Sequence, residues 1–373
     1  MSDITLIILA AGDSTRFNSP IKKQWLRIGH EPLWLFVANR FEKSGKFSNI
    51  IVAASKNDVT FMHNYTDKKI VEGGATRQAS LKNALLHVST PYVLVTDVAR
   101  SCISDKMLKR VLDKKGGADC IVPALHVSDT IVYGDDTVDR NKILRVQTPQ
   151  LSRTDVLRKA LQTDKEYTDE SSAIVANGGS RVFVDGEDDA FKLTFADDVK
   201  ELGCLKPPAN ATLVGNGFDV HAFDDKGEMF LCGVKIESDF GFKAHSDGDV
   251  AIHSLIDALL GAAGMGDIGT LFPDNDDAYK GIDSKLLLED VVKRIYNYGY
   301  EIINVDITII AQTPRIGTYK ESMRKTLSTI LKIPFYNVNV KATTTERLGF
   351  IGRKEGVGVL STASLNYFNW TNK

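Results

Sequence analysis

The stretch Thr5-Leu6-Ile7-Ile8-Leu9-Ala10-Ala11-Gly12-Asp13-Ser14-Thr15-Arg16 decides how the first half of the chain is read. Thr5 to Leu9 is short, apolar and rich in β-branched residues, as expected of a strand buried on both faces of a parallel sheet. Small residues follow at once. Ala10, Ala11 and Gly12 let backbone N–H groups approach phosphate oxygens, and open sheets bind ligands at the carboxyl ends of their strands. Arg16 and Lys23 would then neutralise a triphosphate. The stretch is neither GxGxxG nor GxxxxGK[ST], which disfavours a dinucleotide fold and a P-loop. Taken alone it also reads as an ordinary tight turn.

Outward from this strand, apolar β-rich runs alternate with longer helical patterns. Strands are expected at Thr5 to Leu9, Ile50 to Ala54, Tyr92 to Thr96 and Asp119 to Pro123, with helices such as Gln78 to His87 and Asp105 to Lys114 between them. That is the pattern of an α/β, Rossmann-like domain with a mostly parallel sheet. Asp97 follows the third strand, where a carboxylate either holds Mg²⁺ against phosphates or caps a helix. Thr130 to Tyr133, the turn Gly134-Asp135-Asp136 and the return Thr137 to Val146 read as a projecting β-arm. Such an arm packs either on another subunit or on its own domain.

The pair Pro207-Pro208, inside Leu205 to Asn210, is the best boundary in the chain. It gives one domain over residues 1–206 and a second over 211–373. The second reads as an α+β layer: strands Thr212 to Gly217 and Phe230 to Ile236, helices Gly248 to Ala262 and Ser284 to Asn297, strand Asn304 to Ile310, helix Thr318 to Leu331, and strands Val338 to Thr343 and Gly356 to Tyr367. Asp219 and His221 are two apart, on one face of an extended segment. His253 lies on a helix with Asp249 and Asp257 one turn to either side. Two histidines, a carboxylate and an open fourth position make a reactive Zn²⁺ site. Each histidine alone reads as well as a hydrogen-bonded core or surface imidazole.

Composition sets the outer limits. The chain has 373 residues, 43% hydrophobic and 25% charged, so two or three globular domains are expected. Lys and Arg number 46 against 48 Asp and Glu, a net charge of −2, which argues against nucleic acid or anionic membrane held by bulk electrostatics. Cys102, Cys120, Cys204 and Cys232 show no CxxC pair and no disulfide framework, so a reducing, cytoplasmic location is expected. Neither a signal peptide nor a membrane helix is legible.

The first half resembles the cytidylyltransferase of the non-mevalonate isoprenoid pathway, 4-diphosphocytidyl-2-C-methyl-D-erythritol synthase. The motifs are Leu9-Ala10-Ala11-Gly12 with Arg16 and Lys23-Gln24, Gly73-Gly74 with Arg77 and Ser80, Asp97 with Arg100, Asp129-Thr130, Asp139-Arg140, Thr148-Pro149-Gln150, Thr168-Asp169-Glu170 and Phe191-Lys192-Leu193-Thr194. The resemblance implies that Arg16, Lys23 and Lys192 stabilise the transition state at the CTP α-phosphate. Ala10, Ala11, Gly12, Gly74, Ser80 and Asp97 would bind CTP, with Mg²⁺ on Asp97. Arg100, Thr130, Arg140 and Thr168 would meet methylerythritol phosphate, with the arm reaching into a dimer partner. Lys22 stands where the family has proline, and Thr96, Val98 and Ser101 replace His, Ala and Pro. Gln24 decides for Lys23 over Lys22 as the family lysine.

The second half resembles 2-C-methyl-D-erythritol 2,4-cyclodiphosphate synthase. Its signatures are Gly217-Phe218-Asp219-Val220-His221, Ala244 to Asp249, Gly266-Asp267-Ile268-Gly269, Leu271-Phe272-Pro273-Asp274, Lys341 to Glu346 and Gly349 to Arg353. By that resemblance Asp219, His221 and His253 bind Zn²⁺, and Glu346 holds a second ion, Mg²⁺ or Mn²⁺. His245 and Thr344 are the catalytic pair, and Ser246 holds phosphate with them. Asp267, Ile268, Gly269, Phe272 and Asp274 line the methylerythritol pocket, and Ala311 and Arg315 read cytosine. Thr343, Thr345, Phe350 and Arg353 complete the substrate contacts, Phe350 and Arg353 reading equally well as trimer packing. The two resemblances together imply a bifunctional enzyme making homo-oligomers, dimeric by the first domain and trimeric by the second, six copies being the smallest assembly with both symmetries. A separate ATP-dependent kinase must act between the two steps and is a candidate partner. The competing reading keeps the cyclase and leaves the first half as an inactive nucleotide-binding scaffold.

Overall fold

A computed structural model describes residues 2–273, 275 and 279–372. The chain divides into two compact units, Met1–Pro208 with Asn369–Lys373, and Ala209–Phe368. The C-terminal segment, read from the sequence with the second half, folds with the first. Its Trp370 is buried and donates its indole N–H to the Arg27 carbonyl at 2.7 Å.

In the first unit the quoted stretch forms β1 (Ile4–Leu9), whose Leu6, Ile7 and Ile8 are fully buried. After α1 (Leu33–Lys43) come β2 (Asn49–Ala54), β3 (Lys69–Glu72), α2 (Arg77–Leu85) and β4 (Tyr92–Asp97). Next are α3 (Asp105–Asp113), β5 (Cys120–His126), the arm strands β6 (Ile131–Tyr133) and β7 (Asp136–Val138), β8 (Leu144–Val146) and β9 (Gln150–Arg153). The unit is completed by α4 (Thr154–Ala160), α5 (Glu170–Ala176) and β10 (Arg181–Asp185). The sheet runs β8–β5–β9–β4–β1–β2–β3, with β10 on β5. β1, β2, β3 and β4 pair in parallel, but β9 lies antiparallel between β4 and β5. The sheet, expected to be mostly parallel, carries β8 and β9 as its antiparallel members. The arm is also shorter than its sequence suggests: β7 stops at Val138, and Leu144–Val146 returns to the main sheet on β5. Cys102 and Cys204 are paired as a disulfide, their Cα atoms 5.9 Å apart, where the cysteine spacing shows no disulfide framework. A separation of 102 positions leaves no spacing pattern to read.

The second unit is α+β. β11 (Thr212–Asp224) is followed by β12 (Met229–Leu231), β13 (Val234–Ile236), β14 (Gly241–Phe242), α6 (Val250–Ala263) and α7 (Ile268–Leu271). After them come α8 (Ser284–Asn297), β15 (Tyr300–Ile310), α9 (Lys320–Leu331), β16 (Val338–Thr343), α10 (Gly349–Gly352) and β17 (Gly356–Tyr367). The sheet order is β14–β11–β17–β15–β16. The run Phe230 to Ile236, read as one strand, is a hairpin because Cys232 and Gly233 take positive φ at its turn. Helix α6 lies against β11 because Gly215 and Gly217 have no side chains. A Cβ on either would enter the helix backbone at Ala258, Ala262 or Ser254. The Ser254 hydroxyl then bonds the Gly217 carbonyl at 2.9 Å, fixing helix to strand one residue from His253.

Candidate functional sites

The first site is a cleft of about 660 Å³ at the carboxyl ends of β1 and β4. Ala10, Ala11, Gly12, Arg16, Lys23, Gly74, Ser80, Asp97 and Lys192 all line it. Local bonding explains their placement. Ser14, in the left-handed region, accepts the Lys23 N–H at 3.1 Å, and Gln24 donates to the Gly12 carbonyl at 3.0 Å, closing the loop after β1. Lys22 points elsewhere, with Nζ 3.4 Å from buried Asp58. Lys23 instead reaches the Leu193 carbonyl at 3.2 Å and shares the cleft with Arg16 and Lys192. Burial and those two cations hold the Lys23 ammonium below the ordinary lysine range. Gly73 and Gly74 allow the second loop to pass within contact of Ala11 and Ala79. The Ser80 hydroxyl is occupied holding that loop, accepting the Gly74 N–H at 3.0 Å and donating to the Thr76 carbonyl at 2.9 Å.

Asp97 sits at the centre of a charge network. Its Oδ1 meets Arg77 Nε at 3.0 Å and its Oδ2 meets Lys192 Nζ at 2.7 Å. Burial alone would raise this carboxyl, but Arg77 and Lys192 outweigh it and hold it below the usual carboxylate range. Arg77 also meets fully buried Glu170 at 2.6 Å. Glu170 and the Arg77 bridge were not assigned roles from sequence, because the two lie 93 positions apart. Thr148, which accepts the Asp97 N–H at 3.2 Å, was likewise unassigned.

The residues expected on methylerythritol phosphate are not gathered in this cleft. Arg100 is turned to the Ala190 carbonyl at 2.6 Å. Thr130 and Arg140 are exposed beside the arm, where Arg140 donates to the Ser128 carbonyl at 2.6 Å. Thr168 is exposed before α5.

The second site is a cavity of about 350 Å³ lined by Asp219, His221, His245, Ser246, His253, Ile268, Gly269 and Phe272, among others. Asp219 Oδ2 is 3.2 Å from His221 Nε2 and 3.4 Å from His253 Nδ1. Ligand atoms around a tetrahedral ion with bonds of about 2.1 Å stand about 3.4 Å apart, as these two pairs do, and the three ligand atoms lie within 4.8 Å of one another, close enough to share a metal ion. The far nitrogens are also bonded: His221 Nδ1 faces the Gly248 carbonyl at 2.9 Å, and His253 Nε2 faces hydroxyls. Burial would raise Asp219, but the two imidazoles hold it below the usual carboxylate range. Asp257, one turn from His253 on α6, accepts the Ile268 N–H at 2.8 Å and so anchors α7. Asp267 caps the same helix at Thr270 N, 2.7 Å away.

The remaining residues form a separate group at the ends of β15 and β16. Ala311 N donates to the Thr343 carbonyl at 3.0 Å, and Thr344 Oγ1 donates to Glu346 at 2.9 Å. Glu346 and Arg347 take positive φ, turning this loop tightly. Thr345 donates to the Leu348 carbonyl at 2.7 Å, and exposed Arg353 is paired with Glu355 at 2.7 Å. Arg315 and Phe350 are exposed beside them. None of these lines the cavity of the triad. Asp274 lies outside the described residues.

Comparison with known proteins gives one answer for both halves. A family model for 2-C-methyl-D-erythritol 4-phosphate cytidylyltransferase matches residues 4–202, and one for the YgbB family matches 212–366. The chain is 62% identical to the bifunctional enzyme IspD/IspF of Sulfurimonas denitrificans, covering 99% of this chain and 95% of that one. It is 54% identical to the protein of the same name from Aliarcobacter butzleri, over the full length of both. The solved structure of the bifunctional IspDF from Campylobacter jejuni superposes with a TM-score of 0.93 at 46% identity, covering 99% of this chain and 100% of that one.

Proposed function

Because this chain belongs to the family of bifunctional enzymes that join a 2-C-methyl-D-erythritol 4-phosphate cytidylyltransferase to a cyclodiphosphate synthase, we propose how its own residues divide the two reactions. Both activities are those of the methylerythritol phosphate pathway: CMP transfer from CTP with release of pyrophosphate, and ring closure with release of CMP. The inactive-scaffold reading of the first half is not favoured, and a cleft holding Arg16, Lys23 and Lys192 together runs against it.

In the first reaction the attacking phosphate is already ionised, so catalysis is positioning and electrostatics. The small-residue loop takes the triphosphate, and Arg16 and Lys23 face the α-phosphate. Lys192 rests on Asp97 and turns to the phosphate as charge develops, which frees Oδ2. Magnesium, when bound, neutralises phosphate charge, and the freed Asp97 oxygen is the ligand this chain offers it. Thr130 and Arg140 serve the methylerythritol phosphate of a partner subunit, since the exposed arm with Val132 and Tyr133 on its surface suits a dimer contact.

In the second reaction Asp219, His221 and His253 would hold Zn²⁺, which would supply Lewis-acid chemistry at the substrate's diphosphate. His245 and Ser246 hold phosphate oxygens beside the triad. The group Thr343 to Glu346, with Ala311 and Arg315, supplies the nucleotide side from a neighbouring subunit, Glu346 carrying a second Mg²⁺ or Mn²⁺. The open face of the second sheet, with Val214, Phe218 and Leu360 exposed, is the surface we assign to that trimer. Dimer and trimer contacts together close at six copies. We place the enzyme in the cytoplasm, with a separate kinase acting between its two steps. Among the described residues no helix is long and apolar enough to cross a membrane.

The observation that carries this reading is the meeting of Asp219, His221 and His253 in one unit and of Arg16, Lys23 and Lys192 in the other. Metal analysis with activity assays of Asp219→Asn and Lys23→Ala tests it. Loss of zinc and cyclisation only in the former, and of CMP transfer only in the latter, is the expected outcome.

A further inference from the structure

On its outer side the His253 ring meets two hydroxyls, with Nε2 3.1 Å from Ser284 Oγ and 3.1 Å from Ser246 Oγ. On its inner side Nδ1 faces Asp219. A hydroxyl can donate or accept, and its direction decides which ring nitrogen carries the proton. Asp247 removes that freedom at Ser284. Its carboxylate accepts the Ser284 N–H at 3.1 Å through Oδ2 and the Ser284 O–H through Oδ1. Ser284 is fully buried at the start of α8, and its single proton is committed to Asp247. Toward His253 it therefore offers only a lone pair.

We propose that Asp247 and Ser284 are positioning residues that hold His253 as the Nε2–H tautomer and so aim its Nδ1 lone pair at the metal position. Ser246 cannot set this by itself. Its oxygen accepts the Gly248 N–H at 3.2 Å, but among the described residues no carboxylate holds its proton, so it is compatible with either tautomer. His221 is fixed independently, because the Gly248 carbonyl opposite its Nδ1 can only accept. Asp247 also accepts the Asp249 N–H at 3.2 Å, so one carboxylate joins the loop before α6 to the start of α8. The pair lies 37 positions apart, and no sequence motif links them.

This inference rests on the metal-centre reading, yet its first readout needs no metal. Without metal the Asp219 carboxylate draws a proton to Nδ1, so the readout uses metal-free full-length Asp219→Ala protein with ¹⁵N-labelled histidine, in which long-range ¹H–¹⁵N correlation should show His253 protonated at Nε2. When Asp247→Asn, of nearly the same shape, is added to that background, the amide donates to Ser284 Oγ and releases its hydroxyl to donate to the ring, so the Nδ1–H form should gain. Ser284→Ala should mix the tautomers. Chelator competition should show zinc held about 10–100-fold more weakly in both variants, with Ser284→Thr restoring affinity. A ring protonated at Nδ1 in Asp219→Ala, or added variants that keep the Nε2–H form, overturns the proposal. A merely structural role would lower the melting temperature of these variants and leave the tautomer unchanged. The Nε2–H tautomer in Asp219→Ala beside a wild type that binds no zinc would instead defeat the metal reading while leaving the hydrogen-bond relay standing.

Discussion

Arg77 is the residue whose removal should cost the first unit most for a single side chain. It spans Asp97 at 3.0 Å and Glu170 at 2.6 Å, and Glu170 is fully buried. Burial pushes the Glu170 carboxyl up, and Arg77 is the cation that opposes it. Arg77→Met leaves that carboxylate without its partner, and breaking a buried pair from one side costs about 3–5 kcal/mol. At about 2 kcal/mol per molar urea, the midpoint should fall by about 1.5–2.5 M. The assay is selective, since Trp25, Trp34 and Trp370, the 3 tryptophans of the chain, all belong to the first unit and their fluorescence reports its unfolding. Replacing both partners, Arg77→Met with Glu170→Leu, removes the lone charge and should regain at least about 2 kcal/mol. CMP transfer should stay impaired in the double variant, because Asp97 has lost one of its two cations. A single-variant cost under about 1 kcal/mol, or a double variant as unstable as the sum of the singles, refutes the reasoning.

Three further outcomes follow from the same contacts. Lys23 has a folded-state pKa below its ordinary value, so its charge is lost as pH rises before a free lysine would lose it; CTP affinity should fall on the alkaline side, and calorimetry in buffers of different ionisation enthalpy should show proton uptake on binding. Trp370→Ala removes a buried indole and its bond to the Arg27 carbonyl, and should destabilise the first unit by about 3 kcal/mol, read from the fluorescence of Trp25 and Trp34. Gly217→Ala drives a Cβ into the backbone of α6 at Ser254 and Ala258, and should cost about 1–3 kcal/mol and weaken zinc binding, since His253 moves with that helix.

What could be read from the sequence was what lies close along the chain. β1 and its small-residue loop are contiguous, and Asp219 and His221 share a strand face by simple alternation. The alanine, glycine and cation positions of the first cleft and the zinc-type triad were legible on those grounds and by resemblance. Contacts made only by folding were not. The antiparallel β9 enters a sheet whose parallel members alternate with helices, and nothing in Gln150–Arg153 marks its direction. Glu170 beneath Arg77, Ser284 behind His253 and Cys204 beside Cys102 each join distant segments. Helical spacing puts Asp257 on the face of His253 but does not show that its carboxylate is drawn to the unpaired N–H at the start of α7. The C-terminal segment was misassigned because its attachment rests on one indole rather than on a pattern.

The central claim is that one chain carries two chemically separate phosphate sites with a phosphorylation between them. Phosphorus NMR of purified enzyme with CTP, methylerythritol phosphate and Mg²⁺, before and after adding the pathway kinase with ATP, tests it most directly. The account predicts the cytidine diphosphate ester alone before the kinase and the cyclic diphosphate only after it. Lys23→Ala should stop the first product while still cyclising supplied intermediate, and Asp219→Asn should do the reverse. Cyclic product without the kinase, or loss of both reactions from either substitution, would contradict it.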